Sequence, residues 1–152
     1  MEQNKLGNTN TYVATCLFGL EKFVGEEIDA CGGNRLETID GRVVFTGNDD
    51  VLARANLNLR TAERVYLRVG AFHAETFTEL FDGVKKLPWE QYIGKRDAFP
   101  VKGHAIKSAL HSIPDCQSII KKAVVERLKS AYRIDWFEET AVKLQIEFFI
   151  LN

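Results

Sequence analysis

The chain has 152 residues, of which 45% are hydrophobic and 27% charged, and its formal net charge at pH 7 is −1. This length fits one ordinary domain or two small ones, and the ten phenylalanines argue against intrinsic disorder. No run of about eighteen apolar residues occurs, which argues against a membrane span. The polar N-terminus and the three cysteines, which form no CxxC pair, favour a cytoplasmic protein without disulfides.

The near-zero net charge conceals an uneven distribution of charge along the chain. Residues 95–133 contain nine Lys and Arg against three acidic residues, whereas the rest of the chain is net acidic. Positive charge gathered in one segment is typical of a surface that binds a polyanion. The segment therefore predicts a nucleic-acid interface, with an acidic protein partner as the alternative.

The first half of the chain predicts a β-α-β-β-α-β order. The expected elements are strand 11–17, helix 20–31, strands 35–39 and 42–46, helix 48–59 and strand 65–71. Gly32-Gly33 ends the first helix, and Asp40-Gly41 is a strong signal for a hairpin turn. This order is the split βαβ arrangement of a ferredoxin-like fold.

The second half predicts a separate unit with its own sheet and core. Thr76 and Glu79 have the spacing of a capping box, and the helix that they begin should end at Pro88. A short turn at 89–93, an extended segment at 99–106, a helix from 112 or 115 to about 131 and a strand at 142–150 are expected to follow. The last strand runs into Asn152 without a turn, which indicates that the chain is cut within this unit.

Three blocks of sequence, in this order along the chain, resemble one known family. Residues 12–33 contain a GLE motif followed by an acidic amphipathic helix and a glycine, residues 58–65 read NLRTAERV, and residues 99–128 lead through Lys107-Ser108 to a helix with Lys121-Lys122. These blocks are similar to the THUMP-containing RNA methyltransferases of the RlmL/YpsC type, some of which are also labelled N6-adenine-specific DNA methylases. The resemblance implies an α+β chain with a ferredoxin-like domain at 1–72 and a THUMP domain at 73–152.

The resemblance also implies a function. Such a module holds structured RNA, ribosomal or transfer RNA, for a downstream methyltransferase domain that uses S-adenosylmethionine, with a guanine exocyclic amine as the expected target. The 152 residues themselves are expected to bind no cofactor and to catalyse nothing, because Pro88, Pro100 and Pro114 are isolated and cannot form the family's Asn/Asp-Pro-Pro-Tyr loop. The alternatives are the RNA-binding head of a tRNA methyltransferase or thiouridine synthetase, and a ferredoxin-like module that binds a protein.

The expected RNA contacts are basic or hydroxyl side chains. They are Arg60, Arg64, Lys102, Lys107, Ser108, Lys121, Lys122 and Lys129. Lys and Arg attract phosphates, and a lysine beside a hydroxyl before a helix suits a ribose-phosphate. Trp89, Tyr92 and Tyr132 are candidates for stacking on unpaired bases. The three histidines are too scattered to predict a metal site.

Two further expectations concern exposure. Lys121 and Lys122 should both lie on the solvent side of the long helix, so that the fold does not depend on them. Reversing the charges of Glu21 and Glu26 on the first helix is expected to matter little for RNA binding.

Overall fold

The fold is α+β, with its strands in two sheets, as the sequence predicts. The computed structural model describes residues 8–106, 110 and 112–151. Its elements are β1 (Asn10–Thr15), α1 (Glu21–Ala30), β2 (Asn34–Ile39), β3 (Arg42–Gly47), α2 (Asp49–Asn58), β4 (Arg64–Leu67), α3 (Phe77–Lys86), a 3-10 turn (Trp89–Gln91), β5 (Val101–Ile106), α4 (Ile113–Tyr132) and β6 (Ile146–Leu151). In the part of the chain that the structure describes, no helix has the length and apolar character needed to cross a membrane.

The first sheet has the ferredoxin-like strand order. Its strands lie in the order β2-β3-β1-β4, and all neighbours are antiparallel. β1 is central, so that Thr15 lies opposite Arg42 on β3 and opposite Arg64 on β4. The predicted hairpin joins β2 to β3, and Gly41 in its turn has a φ of +79°, a conformation that favours glycine.

One face of this sheet packs against α1 and α2. The side chains enclosed there form the first core: Tyr12, Ala14, Cys16, Val24, Ile28, Val43, Phe45, Val51 and Ala55. Phe23 of α1 lies outside this core and is 52% exposed. Val24 and Ile28 lie one turn apart and are buried, whereas Phe23 lies about 100° around the helix from Val24 and therefore at the margin.

In the second unit, α3 and β5 both pack against α4, and β5 pairs with β6 in parallel. The second core consists of Leu80, Val84, Trp89, Ile93, Phe99, Leu110, Cys116, Ile120, Ala123, Val124 and Leu128. The capping box is confirmed, because Thr76 Oγ1 accepts from the Glu79 amide at 3.2 Å and the Glu79 carboxylate accepts from the Thr76 amide at 3.3 Å. Phe77, the first helical residue of α3, is 41% exposed.

Two strands are shorter than predicted. β4 ends at Leu67, and the Arg68 amide still donates to the Thr11 carbonyl; because β1 begins at Asn10, no ladder partner remains for residues beyond about 69. β6 begins at Ile146, and only an isolated bridge between Ala98 and Lys143 precedes it. The division between the two compact units falls between Arg68 and Val69, and the domain limits at 72 and 73 stay predictions.

Candidate nucleic-acid interface

Two of the predicted lysines, Lys122 and Lys129, lie on the same side of α4 and form the α4 stripe. Lys122 is exposed and Lys129 half-buried, and a separation of seven residues places them on one side of the helix about 10.5 Å apart along its axis. The opposite side buries Ile120, Val124 and Leu128. Within the described residues neither ammonium group has a carboxylate partner, so both are available to a phosphate.

Lys102 lies on the solvent face of the two-stranded sheet, as predicted. His104 shares that face, and its ring stacks on Phe149 with centroids 5.4 Å apart. The residue opposite Lys102 on β6 is Glu147, whose carboxylate accepts from Gln145 Nε2 at 2.6 Å. A carboxylate at this position weakens the positive field around Lys102.

The prediction that Lys121 is exposed and dispensable for the fold is wrong. Its Nζ donates to the Glu139 carboxylate at 2.6 Å and to the Phe99 carbonyl at 3.0 Å, and it lies 3.6 Å from the centre of the Phe99 ring. The Glu139 carboxylate also accepts from the Phe99 amide at 3.2 Å. Lys121 therefore joins α4 to the segment before β5, and we assign it to structure rather than to RNA.

Glu139 has an unusual backbone conformation at the end of this connection. Its φ is +49°, a left-handed value that costs a residue other than glycine about 1 kcal/mol or more. The contacts with Lys121 and Phe99 hold the residue in place despite this cost. The hydrogen bond from Lys121 holds the pKa of Glu139 below its usual range, with desolvation acting in the opposite direction.

We predict that the second unit loses stability in acid because of Glu139. The folded chain keeps this carboxylate ionised at pH values at which the unfolded chain takes up a proton, so the contribution is complete above about pH 5 and is lost as the pH falls through the lowered pKa. Thermal melts followed by tryptophan fluorescence should show that Glu139→Gln lowers the Tm at pH 7 and lowers it less at about pH 3, because a falling pH protonates Glu139 in the parent. An equal Tm difference at both pH values would contradict the assignment.

Other charges of the basic segment are also neutralised by distant carboxylates. Arg127 forms a two-pronged ion pair with Glu90, at 2.9 Å and 2.5 Å, and its guanidinium holds the pKa of Glu90 below its usual range. Arg96 pairs with Glu138 at 3.2 Å. Residues 95–133 therefore do not form one uniformly basic surface, because carboxylates from outside the segment neutralise some of its basic side chains.

The two predicted arginines of the first unit differ in their surroundings. Arg60 lies in the loop before β4, where its amide and that of Thr61 donate to the Glu27 carboxylate at 3.2 Å and 3.3 Å. The positive charge of the Arg60 guanidinium also favours the ionised form of the Glu27 carboxylate. Arg64, the first residue of β4, is exposed and has no ion pair with any described residue.

Glu21 has a structural role in the first unit. Its carboxylate accepts from the Gly19 amide at 2.9 Å and from the Gly41 amide at 2.8 Å. These bonds lower the pKa of Glu21, the one from Gly41 having the larger effect. Glu21 thus connects the loop after β1 to the hairpin turn, whereas Glu26 is exposed and remains a suitable control position.

The aromatic candidates for base stacking are mostly engaged in the second core. Trp89 is buried and donates its Nε1 to the Val84 carbonyl at 2.8 Å. Tyr132 is half-buried and donates its hydroxyl to the Ile93 carbonyl at 2.6 Å. Tyr92 is 36% exposed, and Trp136, which the sequence analysis did not consider, is 80% exposed. The sequence feature that could have identified Trp136 as a candidate is a large aromatic residue beside acidic residues in the segment between α4 and β6.

Lys107 and Ser108, the predicted ribose-phosphate contact, lie outside the described residues. Among those that are described, no group of three or more metal-ligating side chains is present. Cys16, Cys31 and Cys116 are buried and unpaired, as expected, and desolvation raises the pKa of Cys16 and Cys116.

Comparison with known proteins agrees with the two-unit organisation. Residues 11–66 match the RlmL ferredoxin-like domain, and residues 74–152 match the THUMP domain. YpsC of Bacillus subtilis (strain 168), named "Putative RNA methyltransferase YpsC", is 42% identical over 144 residues, which are 93% of this chain and 37% of YpsC. The ribosomal RNA large subunit methyltransferase K/L of Cellvibrio japonicus is 29% identical over 78% of this chain and 16% of its own length.

Solved structures show the same fold. A protein from Listeria monocytogenes described as a "predicted N6-adenine-specific DNA methylase" is 44% identical, with a TM-score of 0.90 over 95% of this chain and 38% of that one. SMU.472, crystallised with SAH, is 39% identical, with a TM-score of 0.88 over 96% of this chain and 40% of that one. The chain thus spans less than half the length of each of these relatives. It belongs to the THUMP-domain family, with an RlmL-type ferredoxin-like domain before the THUMP domain, and it is close to the YpsC-type proteins.

Proposed function

We propose that the chain binds structured RNA in the cytoplasm and holds it for a methyltransferase domain. The observation that carries the proposal is the Lys122–Lys129 stripe of α4, in which Lys122 is exposed and Lys129 half-buried. The stripe lies within the region that matches the THUMP domain, and neither lysine has a carboxylate partner among the described residues. Two lysines without carboxylate partners on one helix face bind phosphates without reading the base sequence.

The catalytic part of the proposal rests on the relatives. The K/L enzymes are named for large-subunit ribosomal RNA, and SMU.472 was crystallised with SAH, the product that S-adenosylmethionine leaves after methyl transfer. We therefore propose ribosomal RNA as the partner and S-adenosylmethionine as the methyl donor of a methyltransferase domain in the full-length protein. The family resemblance favours the exocyclic amine of a guanine as the target.

None of the chain's own residues is assigned to the methyl donor. The three prolines are isolated in the sequence, which leaves no Asn/Asp-Pro-Pro-Tyr loop, and the glycines form no GxGxxG turn. The chain instead contributes binding and orientation of the RNA. A fixed orientation presents one base to the catalytic group of another domain in a constant geometry.

We predict that Lys122→Gln/Lys129→Gln weakens binding to a fluorescein-labelled stem–loop of large-subunit ribosomal RNA by about thirtyfold, since each of the two charge-assisted phosphate contacts contributes about 1 kcal/mol. The slope of log K against log salt should become shallower by about 1.8 because two phosphate contacts are lost. Fluorescence anisotropy over a salt series measures both quantities.

The matched control removes two exposed lysines of the same unit, Lys85→Gln/Lys86→Gln at the end of α3. Its affinity and salt slope should stay close to those of the parent. If the α4 variant binds as tightly as the parent, the stripe is only a solvated helix face, and a module that binds a protein becomes the better interpretation.

A further inference from the structure

A row of basic and aromatic residues follows β4 at the edge of the first sheet. Arg64 pairs in register with Thr15, and Tyr66 pairs with Val13. The Arg68 amide donates to the Thr11 carbonyl at 2.8 Å, which continues the same register by one step. Since side chains alternate along a strand, Arg64, Tyr66 and Arg68 lie on the same face of the sheet.

This face is the one that α1 and α2 do not cover. The residues of β1 that pack against these helices are Tyr12, Ala14 and Cys16, so Val13 and Thr15 face the other way. Their partners on β3 are Val44 and Arg42. The face therefore has an apolar middle, with arginines on either side of Thr15.

The sheet and the helix layer of the first unit differ in charge. Arg64 and Arg68 are exposed, and neither forms an ion pair with a described residue. The register places Glu37 of β2 on this face opposite Val44, and β3 and β1 separate β2 from β4. The helix layer is acidic by comparison, since α1 alone carries four carboxylates against Lys22.

An aromatic ring between two arginines suits one class of ligand. Four-stranded sheets that bind single-stranded RNA stack unpaired bases on aromatic side chains of the sheet face, while cations nearby hold the phosphates. Tyr66 is half-buried, so its ring is supported at the sheet surface, and Arg64 and Arg68 are each about 6.7 Å away along the strand.

We infer that Arg64, Tyr66 and Arg68 bind an unpaired RNA segment, with a base stacked on Tyr66 and phosphates at the two arginines. This inference rests on the proposed function and adds a second substrate element to it. The α4 stripe holds the structured part of the RNA, and the β4 row holds a single strand.

The test uses the intact chain and a fluorescein-labelled oligouridylate, which forms no stem. Arg64→Gln/Arg68→Gln should weaken binding about tenfold or more and make the log–log salt slope shallower by about 1.4, the value for two contacts on a single strand. Tyr66→Leu keeps an apolar side chain but removes the stacking surface, and it should also weaken binding by about tenfold. Tyr66→Phe keeps the ring and should restore the parent affinity.

The matched control is Lys22→Gln/Arg54→Gln, which removes two exposed charges from the helix layer of the same unit. Circular-dichroism melts check that each variant folds, and the arginine pair remains informative if Tyr66→Leu does not fold. Equal losses in the arginine variant and the control would overturn the inference. If the stem–loop binds through α4 but the Arg64, Tyr66 and Arg68 variants bind oligouridylate as tightly as the parent, only the inference fails. If the parent binds neither RNA, the proposed function fails with it.

Discussion

Replacing Phe99 by alanine is expected to destabilise the second unit by about 3–5 kcal/mol, the usual range for a large buried aromatic. Phe99 is 1% exposed, its ring meets Phe137 edge-on with centroids 5.8 Å apart, and the Lys121 ammonium lies over its face. A domain is stable by only about 5–15 kcal/mol, so this single change removes a large part of the total. Urea denaturation followed by tryptophan fluorescence reports on this unit, because Trp89 and Trp136 both lie within it.

The control for this prediction is Phe77→Ala. Phe77 belongs to the same unit but is 41% exposed at the first position of α3, so that its loss opens no cavity. Its free energy of unfolding should stay within about 1 kcal/mol of the parent. Equal denaturation midpoints for the two alanine variants would show that Phe99 is not the centre of this core.

Lys121→Ala is expected to lower the free energy of unfolding by about 1–2 kcal/mol, whereas Lys122→Ala should change it by less than about 0.5 kcal/mol. The side chain of Lys121 is 34% exposed, so its ion pair with Glu139 is partly screened and contributes modestly. Its position over the Phe99 ring adds the remainder. Lys122 has no comparable contact among the residues that the structure describes.

The two lysines should also separate in RNA binding. Lys122→Ala should weaken binding to the stem–loop without changing stability, while Lys121→Ala should lower stability and leave the affinity of the folded chain close to the parent's.

Lys121→Ala/Glu139→Ala should destabilise less than the sum of the two single changes, because both remove the same contact. Additive losses, or a larger loss of affinity for Lys121→Ala, would return Lys121 to the RNA surface.

The sequence by itself determined the local elements and the family. The capping box at Thr76, the hairpin turn at Gly41 and the alternation of β6 depend on hydrogen bonds and burial within a few residues, so their patterns are visible in one stretch of chain. The β-α-β-β-α-β order likewise follows from elements that are each encoded locally. The resemblance to the THUMP-containing proteins was confirmed for the same reason, since it depends on residue order along the chain.

The tertiary structure decided which charged residues are available to a ligand. Lys121 and Lys122 are neighbours in sequence, yet Glu139, eighteen residues away, reaches only Lys121. Glu90 and Arg127 meet across 37 residues, and no local pattern indicates that contact. The same holds for the β4 row, where the pairing of β1 with β4 fixes the face on which Tyr66 lies. Charge pairing and strand register depend on groups that are distant in sequence, and only folding brings them within hydrogen-bonding distance.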